Sequence, residues 1–252
     1  MRIGFAQQVS IVALSAALVG CGAGRATFDA NTYGDLLQRY TPDGKVDYAE
    51  LKKNDFARLE TLYRGLANFD ASRFPSPDAE LAFWMNAYNV IVLYSATKAF
   101  PVKEVWGAEK EFFKVPHVIG GKTLSLDDIE HKQIRERFRD ARFHFGVNCG
   151  STSCPLLSTK PYTAENLQEK LNLNARMFID NDANVRFDEA KGELHLSEMF
   201  KWYAADFVHD AGSVEKFLAK YLPTEKATLL ASRQWKLDYV PYDWSLNAAT
   251  LR

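Results

Sequence analysis

Three cysteines and five histidines in 252 residues are too few and too scattered for the paired clusters that build a structural zinc cage of three or four ligands. No C-x-x-C motif marks a thiol exchange site. No apolar run approaches the roughly 20 residues of a transmembrane helix. Nor does one sign of charge dominate: with a formal net charge of −1, bulk electrostatics recruits neither nucleic acid nor an anionic surface. No internal repeat, low-complexity tract or Pro/Gly/Ser linker divides the chain. What remains is 47% apolar and 25% charged residues, the balance of an ordinary packed globule. No metal and no cofactor is expected.

The N-terminus specifies a compartment. Arg2 opens it, Val9 to Val19 is mostly apolar, and the run ends in Leu18-Val19-Gly20-Cys21. That ending resembles a bacterial lipobox, which is cut before the cysteine so that Cys21 carries the lipid. Gly22 in place of aspartate resembles lipoproteins sorted to the outer membrane, facing the periplasm. The expected layout is a signal peptide over 1–20, a lipidated tether over 21–32 and a single globular domain over 33–252. Such a protein is anchored to the membrane and does not span it.

The domain reads as α+β, helix-rich, around a buried central helix with a small, largely antiparallel sheet. Ser76-Pro77 opens that helix as cap and first-turn proline. Leu81 to Tyr94 is apolar on every side, which requires cover all round. Asn86 and Asn89 interrupt it about 60° apart on the wheel. Their amides either satisfy a neighbouring loop's backbone or form the polar wall of a ligand pocket. Thr41 to Leu51 matches the second half of a calcium loop, but Arg39 stands where the first carboxylate belongs. A Pro-Asp-Gly turn leading into a short strand and a helix replaces that reading.

Gly120-Gly121 marks a hairpin. Ser125 and Asp128 form a capping box for a helix running to Phe138. On its wheel Glu130 falls in the apolar arc, where a carboxylate needs a partner or a function, and Arg137 is the nearest cation. RFHFGVN, Arg142 to Asn148, alternates like a strand with His144 opposite the phenylalanines. A helix over Ala164 to Ile179, a hairpin at VRFDEAKGELHL, helices around MFKWYAADF and SVEKFLAKYL, and a last strand KLDYV complete the pattern. His117, His195 and His209 read as packing or surface residues.

Six stretches together resemble the domain of unknown function 547 family: GKVDY, AFWMNAYNV, SLDDIEH, HFGVNCGSTSCP, LSEMFKWYAADF and YDWSLN. The resemblance spans Asn31 to Asn247. It implies an exported bacterial protein and no particular activity, because the family is named for lacking a known one. Some plant members lack the second cysteine of the loop, which weakens any mechanism needing both.

The cysteine loop stays open to two readings. If Cys21 is lipidated, Cys149 and Cys154 are the two cysteines left in an oxidising compartment, where pairs become disulfides. The other reading makes Cys149 a nucleophile, with His144 or His131 as base and Glu130 or an asparagine orienting it. The first describes a lipid-anchored envelope protein of unknown activity, a binding or assembly module whose polar pocket near the loop takes an envelope peptide, glycan or protein. The second describes a thiol-dependent hydrolase or transferase acting on envelope peptides. Both place His131, His144, Asn86 and the loop in one pocket. The C-terminal aromatics (Trp202, Tyr203, Trp235, Tyr242, Trp244) read as core and lid.

Overall fold

The computed structural model describes residues 27–71, 73–104 and 111–249. The expected signal peptide, the expected lipidation site Cys21 and most of the expected tether lie outside the described residues. The fold is α+β and helix-rich, with two small sheets. Among the described residues no helix is long and apolar enough to cross a membrane.

Helix α1 (Ala30–Tyr40) begins ahead of the expected domain start, capped by Asp29, whose carboxylate accepts from the Thr32 N–H at 2.9 Å. Phe28 already packs edge-on against Tyr33 and Phe83. Helices α2 (Tyr48–Asn54) and α3 (Phe56–Gly65) follow. Between α1 and α2, the Pro42–Gly44 turn puts Asp43 and Gly44 at positive φ, and Val46 makes a single bridge to Ala248.

Helix α4 (Pro77–Ala99) is the centre of the first core. Ser76 accepts from the Ala79 N–H at 3.1 Å, and Pro77 supplies a first turn that needs no amide donor. Every residue from Leu81 to Tyr94 is buried. Its cover comes from α1, α2, α3 and the segment that follows Ser125.

Strands β1 (His117–Ile119) and β2 (Lys122–Leu124) form the expected hairpin, with Gly120 and Gly121 at φ 56° and 75°. A Cβ at Gly120 would also stand 2.9 Å from the Phe69 carbonyl oxygen. The capping box is present: Ser125 N–H and Oγ–H donate to Asp128, and the Asp128 N–H donates to Ser125 Oγ. The helix it opens, however, is a π-helix (Asp128–Arg135) that continues as α5 (Glu136–Phe138). A π-helix turns through less than 100° per residue, so an α-helical wheel misplaces its side chains. Arg137 consequently pairs with Glu80 at 2.6 Å rather than with Glu130.

RFHFGVN is not a strand. Ala141–Phe145 is a 3-10 helix whose bonds are local: the Phe143 N–H donates to Asp140 O, and the Gly146 and Val147 N–H groups both donate to Phe143 O. Phe143 packs into the core around α4, while Phe145 packs into a second core. Alternate residues thus face two different cores, and the period of two does not come from a sheet.

The second core lies under α6 (Leu167–Ile179), α7 (Met199–Trp202), α8 (Ala204–Ala211), α9 (Val214–Tyr221) and α10 (Thr224–Ala231), together with strands β3 (Val185–Asp188), β4 (Glu193–Ser197) and β5 (Lys236–Val240). Strand β4 is central, antiparallel to β3 and parallel to β5. Past β5 the chain returns across the molecule as a strap. Ser151 bridges Leu246, the Thr152 N–H donates to Ser245 O, and the Asn247 N–H donates to Gly150 O. The terminal YDWSLN therefore clasps the cysteine loop.

Candidate functional site

The two cores meet along a seam, and a cleft of about 300 Å³ opens there. The first core contributes Tyr88 and Val147, the second Met199 and Tyr203, and the strap Tyr242 and Trp244. Ligand pockets favour such junctions between packed units. One wall is aromatic: Trp202, Tyr242 and Trp244 contact one another with ring centroids 4.6–5.7 Å apart.

Glu130, buried on the π-helix, lines the same cleft. The Tyr203 hydroxyl donates to it at 2.7 Å, and Tyr88 also hydrogen-bonds to it. Burial, reinforced by the Glu130 charge, pushes the phenol pKa values of Tyr88, Tyr203 and Tyr242 up. These hydroxyls stay protonated as donors at neutral pH. Asp127 adds a second carboxyl to the lining, its pKa raised by burial.

His144 also lines the cleft, with its ring against Tyr203 at 3.9 Å and Phe143 at 4.0 Å. Its Nε2 is 2.8 Å from Asp206 Oδ2, which also receives Arg135 Nε–H at 2.7 Å. Burial lowers the His144 pKa in spite of the carboxylates nearby, so the ring is neutral and donates through Nε2–H. Burial works against the charge of Asp206, but His144 and Arg135 together hold its carboxyl at about 2. Asp206 and Arg135 face an open groove on the far side that also includes Arg139 and His209, and His131 borders both cavities.

Cys149 and Cys154 form a disulfide at the cleft, their Cα atoms 6.1 Å apart. Tyr242 Oη lies 3.3 Å from Cys149 Sγ and 3.2 Å from Cys154 Sγ. The loop backbone is held from behind by amides. Asn148 Nδ2–H donates to Pro155 O at 2.6 Å, and its Oδ1 accepts from the Gly150 N–H and from Asn247 Nδ2–H.

Of the residues expected in one pocket, Glu130, His131, His144, Cys149 and Cys154 line the cleft, whereas Asn86 and Asn89 do not. Both amides are buried and fully engaged with backbone. Asn86 Nδ2–H donates to Tyr162 O at 2.7 Å and its Oδ1 accepts from the Tyr162 N–H at 3.0 Å. Asn89 does the same with Gly146 O at 3.0 Å and the Asn148 N–H at 2.8 Å. Asn89 positions the segment that carries His144 and Cys149, Asn86 holds the backbone at Tyr162, and neither lines the cleft. Asp206 went unnoticed in the sequence because nothing local links it to His144, 62 positions away.

Helix-rich α+β architecture, with a ligand-sized cleft between two cores and a disulfide-closed loop at its edge, is the class these features define. Within it, residues 73–179 match the family described as "Protein of unknown function, DUF547". The match runs from just before α4 to the end of α6 and is narrower than the expected Asn31 to Asn247. Glu130, His144 and the cysteine loop fall inside it, while Tyr203, Asp206 and Tyr242 fall outside. No curated protein and no solved structure matches the chain.

Proposed function

We propose that this chain is a binding module of the bacterial envelope, anchored by lipid on Cys21, whose ligand enters the aromatic cleft and is held by Glu130. The observation that carries the reading is a buried carboxylate, fixed by tyrosine hydroxyls, lining one cleft of about 300 Å³ together with Trp202, Tyr242 and Trp244. An anion in a cleft lined by aromatic rings suits a cationic head. Ring quadrupoles attract a cation within about 6 Å by roughly 0.5–2 kcal/mol, more as water is excluded. An amine borne by an envelope peptide, glycan or protein fits that chemistry. Leu18-Val19-Gly20-Cys21 supports the anchoring.

The alternative, a thiol enzyme with Cys149 as nucleophile, requires reduction first, because that sulfur is bonded to Cys154. His144, its candidate base, is already tied through Nε2 to Asp206. Nothing in this arrangement favours the enzyme over the binding module.

Titrating the full folded chain with the N-acetylated tripeptides Lys-Ala-Ala and Glu-Ala-Ala, which differ in the cationic side chain and share no free α-amine, read by tryptophan fluorescence, tests the reading. Lys-Ala-Ala is expected to quench, and Glu130→Gln to weaken it tenfold or more, a loss of about 1.4 kcal/mol. Equal binding of both peptides, or an unchanged Kd in Glu130→Gln, contradicts it.

A further inference from the structure

Far from the cleft, one face of the second sheet gathers groups that the site above does not use. Strand register places them. Asp188 on β3 is opposite Glu193 on β4, and two residues on, His195 is opposite Asp238 on β5. Directly opposed residues share a face of a sheet, as do positions i and i+2 of one strand. One ligand atom from each of Asp188, Glu193 and His195 lies within 4.8 Å of the others.

His195 shows what the cluster is fitted for. The residue is 9% exposed, and its Nδ1 is 2.8 Å from Asp238 Oδ2. An ionised carboxylate there fixes the proton on Nδ1 and leaves a bare lone pair on Nε2. That Nε2 is buried with no hydrogen-bond partner among the described residues. It lies 3.8 Å from Glu193 Oε2, too far for a hydrogen bond. A buried nitrogen facing a carboxylate oxygen is unfavourable as a bare acceptor, and either a proton on Nε2 or a metal cation relieves it. A carboxylate holding the far nitrogen of a ligand histidine is also how protein metal sites fix tautomer and ring orientation.

We propose that Asp188, Glu193 and His195 bind one divalent transition-metal ion, with Zn²⁺ the best-suited probe, and that Asp238 orients His195 as a ligand. Two carboxylate oxygens and one imidazole nitrogen leave a fourth tetrahedral position for water. Bonds of about 2.0–2.2 Å put tetrahedral ligand atoms roughly 3.4 Å apart, so the carboxylates must close in by an ångström or so. The Asp188 and Glu193 side chains, 20% and 18% exposed beside a hairpin turn, can make that change by rotamer adjustment. The competing cations are Lys236, 2.9 Å from Glu193 Oε1, and Lys191, 3.3 Å from Asp188 Oδ2. Their side chains are 76% and 67% exposed, and such surface pairs contribute little. Arg186, opposite His195 on β3, is the remaining cation of that face. A shortage of cysteine excludes a thiolate cage but says nothing about carboxylate–imidazole ligands.

Equilibrium dialysis of the metal-stripped full chain against Zn²⁺, with thermal melts alongside, tests the proposal. The expected result is one Zn²⁺ per chain and a Tm that rises with free Zn²⁺. Glu193→Gln and Asp188→Asn, both at the surface end of the hairpin, should abolish that increment while the metal-free Tm is kept. Asp238→Asn should weaken binding about 10–100-fold. Lys236→Met should tighten it, the opposite of what a merely structural ion pair would give. No bound Zn²⁺, or binding that survives Glu193→Gln and Asp188→Asn, overturns the proposal.

Discussion

Replacing Trp84 with alanine is expected to lower the unfolding free energy by about 3–5 kcal/mol, the range for emptying a fully buried large aromatic site. Trp84 is 1% exposed at the middle of α4, with Phe83 edge-on beside it at 5.1 Å. Its indole Nε1 has no hydrogen-bond partner among the described residues, so the substitution removes volume and contacts without breaking a polar link. The loss therefore measures how closely α4 is enclosed. Denaturant unfolding is the measurement. A change below about 1 kcal/mol would mean the helix is not the centre of the core.

Replacing Asn89 with alanine is expected to cost about 2–3 kcal/mol by a different route. Asn89 accepts from the Asn148 N–H and donates to Gly146 O, both inside the protein. Gly146 O retains the Tyr162 hydroxyl at 3.2 Å, but the Asn148 N–H is left with no acceptor, and such a group costs about 1–3 kcal/mol. Asn148 also anchors the cysteine loop, so the variant should loosen the cleft as well as the fold. Asn89→Asp separates shape from donation: it keeps the acceptor, loses the donor and places a charge against Gly146 O. It should be at least as destabilising as the alanine. A near-neutral aspartate would show that the amide is not the link between α4 and the loop.

These two residues also show what the sequence made legible. The all-apolar circumference of α4, its Ser76-Pro77 start and the two interior asparagines were readable because a helix of known pitch places side chains with certainty. The hairpins at Gly120-Gly121 and around Gly192 were readable from positive-φ requirements, and both are present. The 3-10 segment at Ala141–Phe145 was not, because the alternation puts Phe143 and Phe145 on one side, whereas they pack into different cores. Glu130 was identified as anomalous but given the wrong partner, since the π-helix shifts every wheel position. The cleft itself combines residues from Tyr88 to Trp244. Tyr203 and Tyr242 come to it, and Asp206 to the back of His144, through the folding of the second core and the strap, which no local pattern announces.

Whether the cleft binds or reacts depends on the state of two sulfurs. Alkylating the full chain, purified without reductant from the cells that make it, with iodoacetamide and weighing it intact is the most direct measurement. With Cys149 joined to Cys154 beside Tyr242, neither cysteine should gain mass until reductant is added. Rapid modification of Cys149 without reductant would contradict the account and make the loop a thiol site.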